Sequence, residues 1–413
     1  MAKAREEMET GPAEPEQRPA GPQGAPGEVF RVFLALGLTS FGGPVAHLGY
    51  FREAIVARRK WMGEAAYADL IALCQFLPGP ASSQVGMALG LQRAGIAGLL
   101  AAWTAFTLPS ALLMAGFAFG AVWLADVAGG GWIAGLKAAA VAVVAHALLG
   151  MARSLAPDRE RATIAVAAMV AALLLPTALG QVAVIAGGGL AGLMLRPDAV
   201  AGDDGGLDVP ISRMAAMICL AVFALLLAGL PFLAALSAMP ALALFDSFYR
   251  AGSLVFGGGH VVLPLLQAEV VETGLVGKEA FLAGYGAAQA VPGPLFTIAA
   301  YLGAASEGAV TGWLGAAVAL VAIFLPSGLL VVGALPFWSA LRTSPLARRM
   351  LMGVNAAVVG LLAAALYDPV FTEGVRSAWA MAVVAAAFLA LAAWHVPAWA
   401  VVLAAGLAGG LLL

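Results

Sequence analysis

The chain has 413 residues, of which 62% are hydrophobic and 11% are charged, with a formal net charge of −2 at pH 7. Soluble domains carry roughly 25% charged residues, so this composition excludes a soluble globular protein, and no basic patch indicates nucleic-acid binding. Cys74 and Cys219 both lie in apolar runs and indicate neither a disulfide framework nor a metal site. Because long apolar stretches recur along the chain, we predict an all-α polytopic membrane protein.

Two interrupted apolar segments follow a polar beginning. Residues 1–27 are rich in Pro, Gly and Glu, which predicts a disordered cytoplasmic tail. Ser40-Phe41-Gly42-Gly43-Pro44 then divides one apolar segment, and Pro78-Gly79-Pro80 divides the next. Inside a helix each Gly costs about 1 kcal/mol and each Pro about 3 kcal/mol relative to Ala. We therefore expect re-entrant hairpins whose breaks line a cavity or pack against protein, because lipid cannot satisfy their backbone groups.

Full-length spans are predicted after these hairpins, and together they complete a first repeat at 28–195. A linker at 196–240 follows, with a polar loop at 197–209 and an extra transmembrane helix near 211–230. The predicted spans of the first repeat are 96–124, 132–152, 162–178 and 180–195.

The second half of the chain, 241–413, repeats motifs of the first half in the same order. Phe256-Gly257-Gly258 lies 215 positions after Phe41-Gly42-Gly43, and Pro292-Gly293-Pro294 lies 214 positions after Pro78-Gly79-Pro80. Further matches are Leu108-Pro109-Ser110 with Leu325-Pro326-Ser327, and Gly135-Leu136-Lys137-Ala138-Ala139 with Gly353-Val354-Asn355-Ala356-Ala357. Four matches with near-constant spacing predict an internal duplication.

Charge predicts that the two repeats are inverted relative to each other. The segment 52–64 carries four Lys or Arg residues against two Glu residues, whereas its counterpart 269–279 carries three Glu residues against one Lys. Because Lys and Arg accumulate on the cytoplasmic side, the first segment should be inside and the second outside. Counting crossings gives nine full spans, four hairpins, a cytoplasmic N-terminus and an external C-terminus.

Inverted repeats with interrupted helices are typical of secondary transporters, which bind substrate between the repeats. A helix N-terminus offers unpaired N–H groups and about half a positive charge, and Pro in the first turn removes no needed donor. We therefore predict a small oxyanion as ligand. The candidate substrate-binding residues are the breaks and the polar side chains beside them: Ser40, Phe41, Gly42, Gly43, Pro44, Gln75, Pro78, Gly79, Pro80, Ser82, Ser83, Gln84, Gly257, Gly258, Gly259, His260, Gln289, Pro292, Gly293, Pro294 and Thr297.

Charged residues give further candidates. Arg52, Arg93 and Lys137 are predicted to guide the anion, although setting the orientation or snorkelling to the surface would also explain them. Asp69 and Asp246 are weaker candidates for a proton relay, because salt bridging is commoner. The alternative for the breaks is that their glycines only permit close packing and that the nearby side chains satisfy freed backbone groups.

The break residues also resemble a known family, the chromate ion transporter family in its long, two-domain form. The resemblance lies in the segments Ser40–Pro44, Tyr67–Gly86, Phe256–His260 and Pro292–Pro294, and it covers roughly residues 30–410. It implies a multi-pass carrier of the bacterial inner (plasma) membrane that exports chromate from the cytoplasm and confers chromate resistance. Sulfate is a second candidate substrate, since it mimics chromate.

Other classes of function remain to be weighed. A sulfate or other oxyanion importer or exchanger would use the same predicted binding site at the helix starts. The sequence also does not distinguish a channel from a carrier. An intramembrane protease with a Ser–His pair lacks support, because Gly-x-Ser-x-Gly, His-Glu-x-x-His and paired intramembrane acids are absent from the sequence. We therefore expect no enzymatic activity, no cofactor and no metal. The expected partners are chromate, with sulfate as the second candidate, and the lipid bilayer, and a homodimer is left open.

Overall fold

The computed structural model describes residues 24–128, 130–196, 211–237, 239–257 and 259–413. Most of the predicted tail, the predicted polar loop at 197–209 and the candidate Gly258 lie outside the described residues. Throughout the described ranges the secondary structure is helical and contains no strand, which confirms the all-α class. We number the helices in chain order.

The first half and the linker contain eight α-helices, and the second half contains ten. The first eight are α1 (Pro26–Thr39), α2 (Gly43–Phe51), α3 (Glu64–Phe76), α4 (Ala81–Ala128), α5 (Gly131–Leu155), α6 (Arg159–Leu174), α7 (Ala178–Gly192) and α8 (Arg213–Ser237). The others are α9 (Pro240–Ser253), α10 (Val262–Leu266), α11 (Lys278–Ala290), α12 (Ile298–Ala304), α13 (Gly312–Ala334), α14 (Trp338–Thr343), α15 (Pro345–Ala365), α16 (Thr372–Gly374), α17 (Ala378–Ala392) and α18 (Ala398–Leu412). Short π-helical turns extend α2, α10 and α15 at Arg52–Arg58, Gln267–Val271 and Leu366–Phe371.

Five helical stretches are long and apolar enough to cross a membrane. They are Ala81–Gly120, Gly131–Leu155, Arg213–Ser237, Gly312–Thr343 and Pro345–Gly374. The first of these stretches is kinked, because Ala94 and Gly95 have non-helical backbone angles and separate 81–93 from the span that follows. The other four expected spans correspond to α6, α7, α17 and α18, which have only 15 or 16 residues each. At 1.5 Å per residue they reach roughly 22–24 Å, which is less than the ~30 Å of a bilayer core. Nearby prolines limit two of these helices, because Pro176 follows α6 and Pro397 precedes α18.

The first helix of each half packs closely on a long helix of the same half. α1 lies along α4, and α9 lies along α13. At the first contact a Cβ on Gly37 would lie 2.8 Å from the carbonyl oxygen of Ala105, and at the second a Cβ on Gly252 would overlap the carbonyl of Ile323. Both helix pairs therefore depend on glycine at corresponding positions of the two halves, since no larger residue fits between the backbones.

The last helices of each half, by contrast, pack on the opposite half. α5 packs against α17 and α18, whereas α15 packs against α6 and α7. Glycines again allow the close approach: a Cβ on Gly135 would overlap the carbonyl of Ala405, and one on Gly353 would overlap the carbonyl of Gly188. The halves are thus interlocked and share one hydrophobic core.

The two interrupted segments of the first half begin and end at one face of the molecule. Arg93, after the second segment, pairs with Glu28 near the start of the first, with an Nη2–Oε2 distance of 3.1 Å. The guanidinium of Arg93 also lies 5.1 Å from the ring centroid of Trp61, which joins the two segments. This contact places the ends of both segments together, as expected for re-entrant hairpins.

Candidate functional site

Both breaks of the first half contain glycine in the left-handed backbone region. Gly42 and Gly43 have φ values of 101° and 76°, and Gly79 has a φ value of 125°. Such values cost little for Gly and are unfavourable for other residues. A helix starts directly after each break, α2 at Gly43 with Pro44 in its first turn, and α4 at Ala81.

The second half breaks in the same way. Gly257 has a φ value of 74° and Gly293 one of 100°. A 3₁₀ turn at Gly259–Val261 leads into α10, and another at Leu295–Thr297 leads into α12. All four predicted helix interruptions are therefore present at the positions inferred from the sequence.

Two reciprocal backbone hydrogen bonds join the breaks of opposite halves. The N–H of Gly79 donates to the carbonyl oxygen of Val255 at 2.6 Å, and the N–H of Gly293 donates to the carbonyl oxygen of Ser40 at 2.9 Å. Val255 lies 215 positions after Ser40, and Gly293 lies 214 positions after Gly79. Each bond is thus the counterpart of the other under the sequence repeat, as in a two-fold symmetric contact.

A serine side chain of the opposite half lies directly beside the glycine of each Pro-Gly-Pro break. A Cβ on Gly79 would lie 2.5 Å from Oγ of Ser327, and a Cβ on Gly293 would lie 2.8 Å from Oγ of Ser110. Ser110 and Ser327 belong to the repeated Leu-Pro-Ser motif of α4 and α13. Each of these two glycines therefore packs against the opposite half, and no larger residue fits in its place.

One cavity of about 1300 Å³ contains residues from all four breaks. Ten of the candidate substrate-binding residues line it, namely Gly42, Gly43, Pro44, Gln75, Gly79, Gly257, Gly259, His260, Gln289 and Gly293. From the breaks the cavity extends to Leu155 at the end of α5, to Arg348 in the first turn of α15 and to His395 between α17 and α18. It thus reaches the face at which the arginines of the second half lie.

The remaining described candidates do not line the cavity. Several satisfy backbone groups that the breaks leave unpaired: Gln84 Nε2 donates to the carbonyl of Pro78 at 2.7 Å, and Thr297 Oγ1 donates to that of Pro294 at 2.8 Å. A ring nitrogen of His47 lies 3.3 Å from Ser82 Oγ, and the other lies 3.2 Å from the carbonyl oxygen of Ser40. The candidates without a lining position are Ser40, Phe41, Pro78, Pro80, Ser82, Ser83, Gln84, Pro292, Pro294 and Thr297.

The three residues predicted to guide the anion also lie away from the cavity lining. Arg52 pairs with Glu64 at 2.8 Å, and Arg93 pairs with Glu28 as described above. Lys137 is buried in α5 beside Gly374, towards the opposite end of the molecule.

Asn355 is a polar residue of the cavity lining that was not among the predicted substrate-binding residues. Asn355 lies beside Gly257, with its Oδ1 3.5 Å from where a Cβ would be. Oδ1 of Asn355 and Nε2 of Gln289 are buried without a hydrogen-bond partner. In the repeated motif Asn355 occupies the position that Lys137 has in the first half. A polar residue at this position in both halves, inside an otherwise apolar motif, is the sequence signal that could have identified Asn355.

Three charged side chains are among the described residues that line the cavity: Asp69, Arg342 and Arg348. Nη1 of Arg342 lies 3.0 Å from Oδ1 and 3.1 Å from Oδ2 of Asp69. The guanidinium groups of Arg342 and Arg348 are side chains of a kind that can bind an oxyanion. Neither Arg342 nor Arg348 was among the residues predicted to guide the anion.

Comparisons with known proteins indicate the family of the chain. The sequence model of the family described as "Chromate transporter" matches residues 27–193 and again residues 242–410. The "Chromate transport protein" of Pseudomonas aeruginosa is 31% identical over 93% of this chain and 92% of its own length. The "Probable chromate transport protein" of Synechococcus elongatus is 28% identical over 82% of this chain and 83% of its own length.

A shorter relative matches a single half. The "Uncharacterized transporter YwrA" of Bacillus subtilis is 30% identical over 41% of this chain and 96% of its own length. No solved structure matches the chain.

Proposed function

Because the chain belongs to the chromate transporter family, we propose that it carries chromate out of the cytoplasm through the cavity between its two halves. The observation that carries this proposal is that all four helix interruptions line that one cavity. The names of the Pseudomonas and Synechococcus relatives, which match most of this chain, support chromate as the anion.

In this proposal, the helix starts after the breaks hold the anion. The first N–H groups of α2 and α4 have no partner within their helices, and the helix dipole adds partial positive charge there. The N–H groups of Gly79 and Gly293 already donate to carbonyl oxygens, so these two fix the breaks and do not bind the anion. Nε2 of Gln289, an unpartnered donor in the cavity lining, is a candidate for a direct hydrogen bond to an anion oxygen.

We also propose that residues 28–195 and 241–413 are inverted copies, joined by a linker at 196–240. The reciprocal bonds of Gly79 and Gly293 support a two-fold relation between them. The location of the hairpins supports inversion: those of the first half return at Arg93, whereas Glu279, at the start of α11, pairs with Arg376 at 2.9 Å near the Lys137 end of α5. Helices α4 and α5 separate these two ends. We propose the bacterial inner membrane as the location of this protein.

The membrane potential favours export of a dianion. Moving one charge across 100 mV is worth about 2.3 kcal/mol, so a dianion that leaves a negative interior gains roughly twice that amount. The cavity reaches the Arg342 face, which the charge distribution assigns to the cytoplasm. Export could therefore begin from this conformation, whereas import of sulfate would need a coupled cation or exchange.

The test is chromate uptake into inside-out vesicles that contain the protein, with protein-free vesicles as control. We expect saturable uptake that falls when the potential is collapsed and that sulfate inhibits competitively. Absence of uptake would overturn the proposal, and uptake of sulfate in preference to chromate would favour a sulfate transporter. Flux that never saturates would indicate a channel, and flux that ignores the potential would indicate electroneutral exchange.

A further inference from the structure

An ion pair in the lining of the cavity joins the two halves. Asp69 belongs to α3 of the first half, and Arg342 belongs to α14 of the second half. Nη1 of Arg342 contacts both carboxylate oxygens, and the side chains are only 26% (Arg342) and 15% (Asp69) exposed. Both residues line the cavity that contains the breaks. The pair therefore faces the path that an anion would take and is partly shielded from water.

The Asp69–Arg342 pair lies in the cavity lining at some distance from the breaks. Asp69 precedes the end of α3 at Phe76 by seven residues, which is roughly 10 Å along the helix axis. An anion that enters from the Arg348 face thus passes the pair before it reaches Gly79. A guanidinium matches the geometry of an oxyanion, because its N–H groups bind two oxygens at once.

The Asp69 carboxylate presents two oxygens to Arg342, as a bound oxyanion would. An entering anion must therefore compete with Asp69 for the guanidinium. A dianion such as chromate is attracted to the cation more strongly than a monoanion is, so it competes better against the single charge of the carboxylate.

Building on the function proposed above, we propose that Arg342 is the first binding group for the transported oxyanion and that Asp69 is an internal competitor that makes this site selective for dianions. The ion pair opens when the dianion binds. Arg342 and Asp69 are thus specificity-determining residues, separate from the helix starts at the breaks.

Transport kinetics in the inside-out vesicles test this proposal. Asp69→Asn removes the competing charge and keeps the shape, so the KM for chromate should fall about fivefold to tenfold. Arg342→Gln should raise KM by about tenfold, and Arg342→Lys should give an intermediate KM because it keeps the charge without the planar fork. The Lys variant also gives an answer if the Gln variant fails to fold.

Glu28→Gln is the matched control, because it neutralises the partner of Arg93 in a part-buried ion pair that does not line the cavity. It should leave the KM for chromate unchanged. A general loss of stability would lower the amount of active protein in all variants and would not separate KM from kcat in this way.

Selectivity provides the second readout. Inhibition of chromate uptake by sulfate, a dianion, should weaken in Arg342→Gln about fivefold more than inhibition by nitrate, a monoanion. In Asp69→Asn, nitrate should become a relatively better inhibitor, because the monoanion no longer competes with a carboxylate.

The outcomes separate this inference from the proposed function. If the wild-type protein takes up no chromate, the proposed function fails and this inference fails with it. If wild-type uptake is normal but the KM for chromate is the same in Asp69→Asn and Arg342→Lys as in the wild type, only this inference is overturned. An equal effect of Glu28→Gln would also overturn it, because the effect would then not come from the cavity.

Discussion

Gly79 and Gly293 each meet two constraints that a side chain would violate. Their φ values of 125° and 100° are strained for other residues. In addition, a Cβ would lie 2.5 Å from Ser327 Oγ at Gly79 and 2.8 Å from Ser110 Oγ at Gly293. The same two glycines donate the hydrogen bonds that join the breaks of opposite halves. The conformation of the breaks and the contact between the two halves therefore both depend on glycine at positions 79 and 293.

Gly79→Ala and Gly293→Ala should therefore abolish most transport. The left-handed conformation alone costs about 1–2 kcal/mol for a residue with a Cβ, and the contact with serine adds to this cost. Chromate uptake per amount of inserted protein measures the effect. Gly116→Ala in α4 is the control, because a Cβ there meets no atom within 4 Å and Ala is the better helix former. Normal uptake by both Gly79→Ala and Gly293→Ala would contradict a requirement for this break geometry.

At the residue scale the sequence predicted the breaks well and the polar side chains less well. Gly and Pro have a local cost in a helix, so their clustering marks a break without knowledge of the fold. Whether Gln84 binds a ligand or the carbonyl of Pro78 depends on the position of the neighbouring chain. For the same reason Arg342 was not distinguished from charges that only set orientation, because its neighbour Asp69 lies 273 positions away.

At the scale of elements, the exchange of helices between halves depends on small residues at the contacts. α15 meets α6 and α7 of the other half, and there a Cβ on Gly353 would overlap the carbonyl of Gly188. Membrane helices lack a hydrophobic force that drives them together, so close backbone packing of this kind supplies much of their association energy.

Gly353→Ala and Gly188→Ala should each lower the free energy of unfolding by about 1–3 kcal/mol, because the added methyl group forces α15 and α7 apart. Thermal unfolding of the detergent-solubilised protein measures this change. Gly187→Ala is a matched control, since it adds the same group one residue earlier in α7, where no atom lies within 4 Å. Equal melting temperatures for Gly187→Ala and Gly188→Ala would show that this contact contributes nothing.

Element lengths and partners were only partly predictable from the sequence. Apolar composition predicted the five long helices, because length and hydropathy alone identify them. Apolar composition gave no indication that α5 packs against α17 and α18. The reason is that helix faces in contact with lipid and helix faces in contact with protein are both apolar. The shortness of α6 and α7 follows from Pro176 and from the cap at Thr177, whose Oγ1 accepts a hydrogen bond from the N–H of Gly180.

At the scale of the whole molecule, the duplication was visible in the sequence and the family comparison matches both halves. The sequence could not reveal that equivalent breaks bind each other reciprocally, because nothing in a repeat states how its copies meet. The loops that join the two interrupted segments of each half share one further trait: Lys60 and Gly274, 214 positions apart, both have positive φ values, 52° and 75°. These joining loops are therefore suitable places to test the orientation of the halves.

Inverted topology predicts that the two joining loops face opposite sides of the membrane. In a protein with Cys74→Ala and Cys219→Ala, the exposed positions Arg59 and Thr273 would be changed singly to cysteine. We expect an impermeant maleimide added to intact cells to label Thr273→Cys at once and Arg59→Cys only after permeabilisation, because the Arg- and Lys-rich loop should be cytoplasmic. Ser212→Cys and Ser237→Cys flank α8, which is long enough to span, and should report opposite sides as an internal control. Labelling of both joining loops from one side, with the α8 pair behaving as expected, would mean that the halves are parallel, and anion binding between inverted repeats would then have to be abandoned.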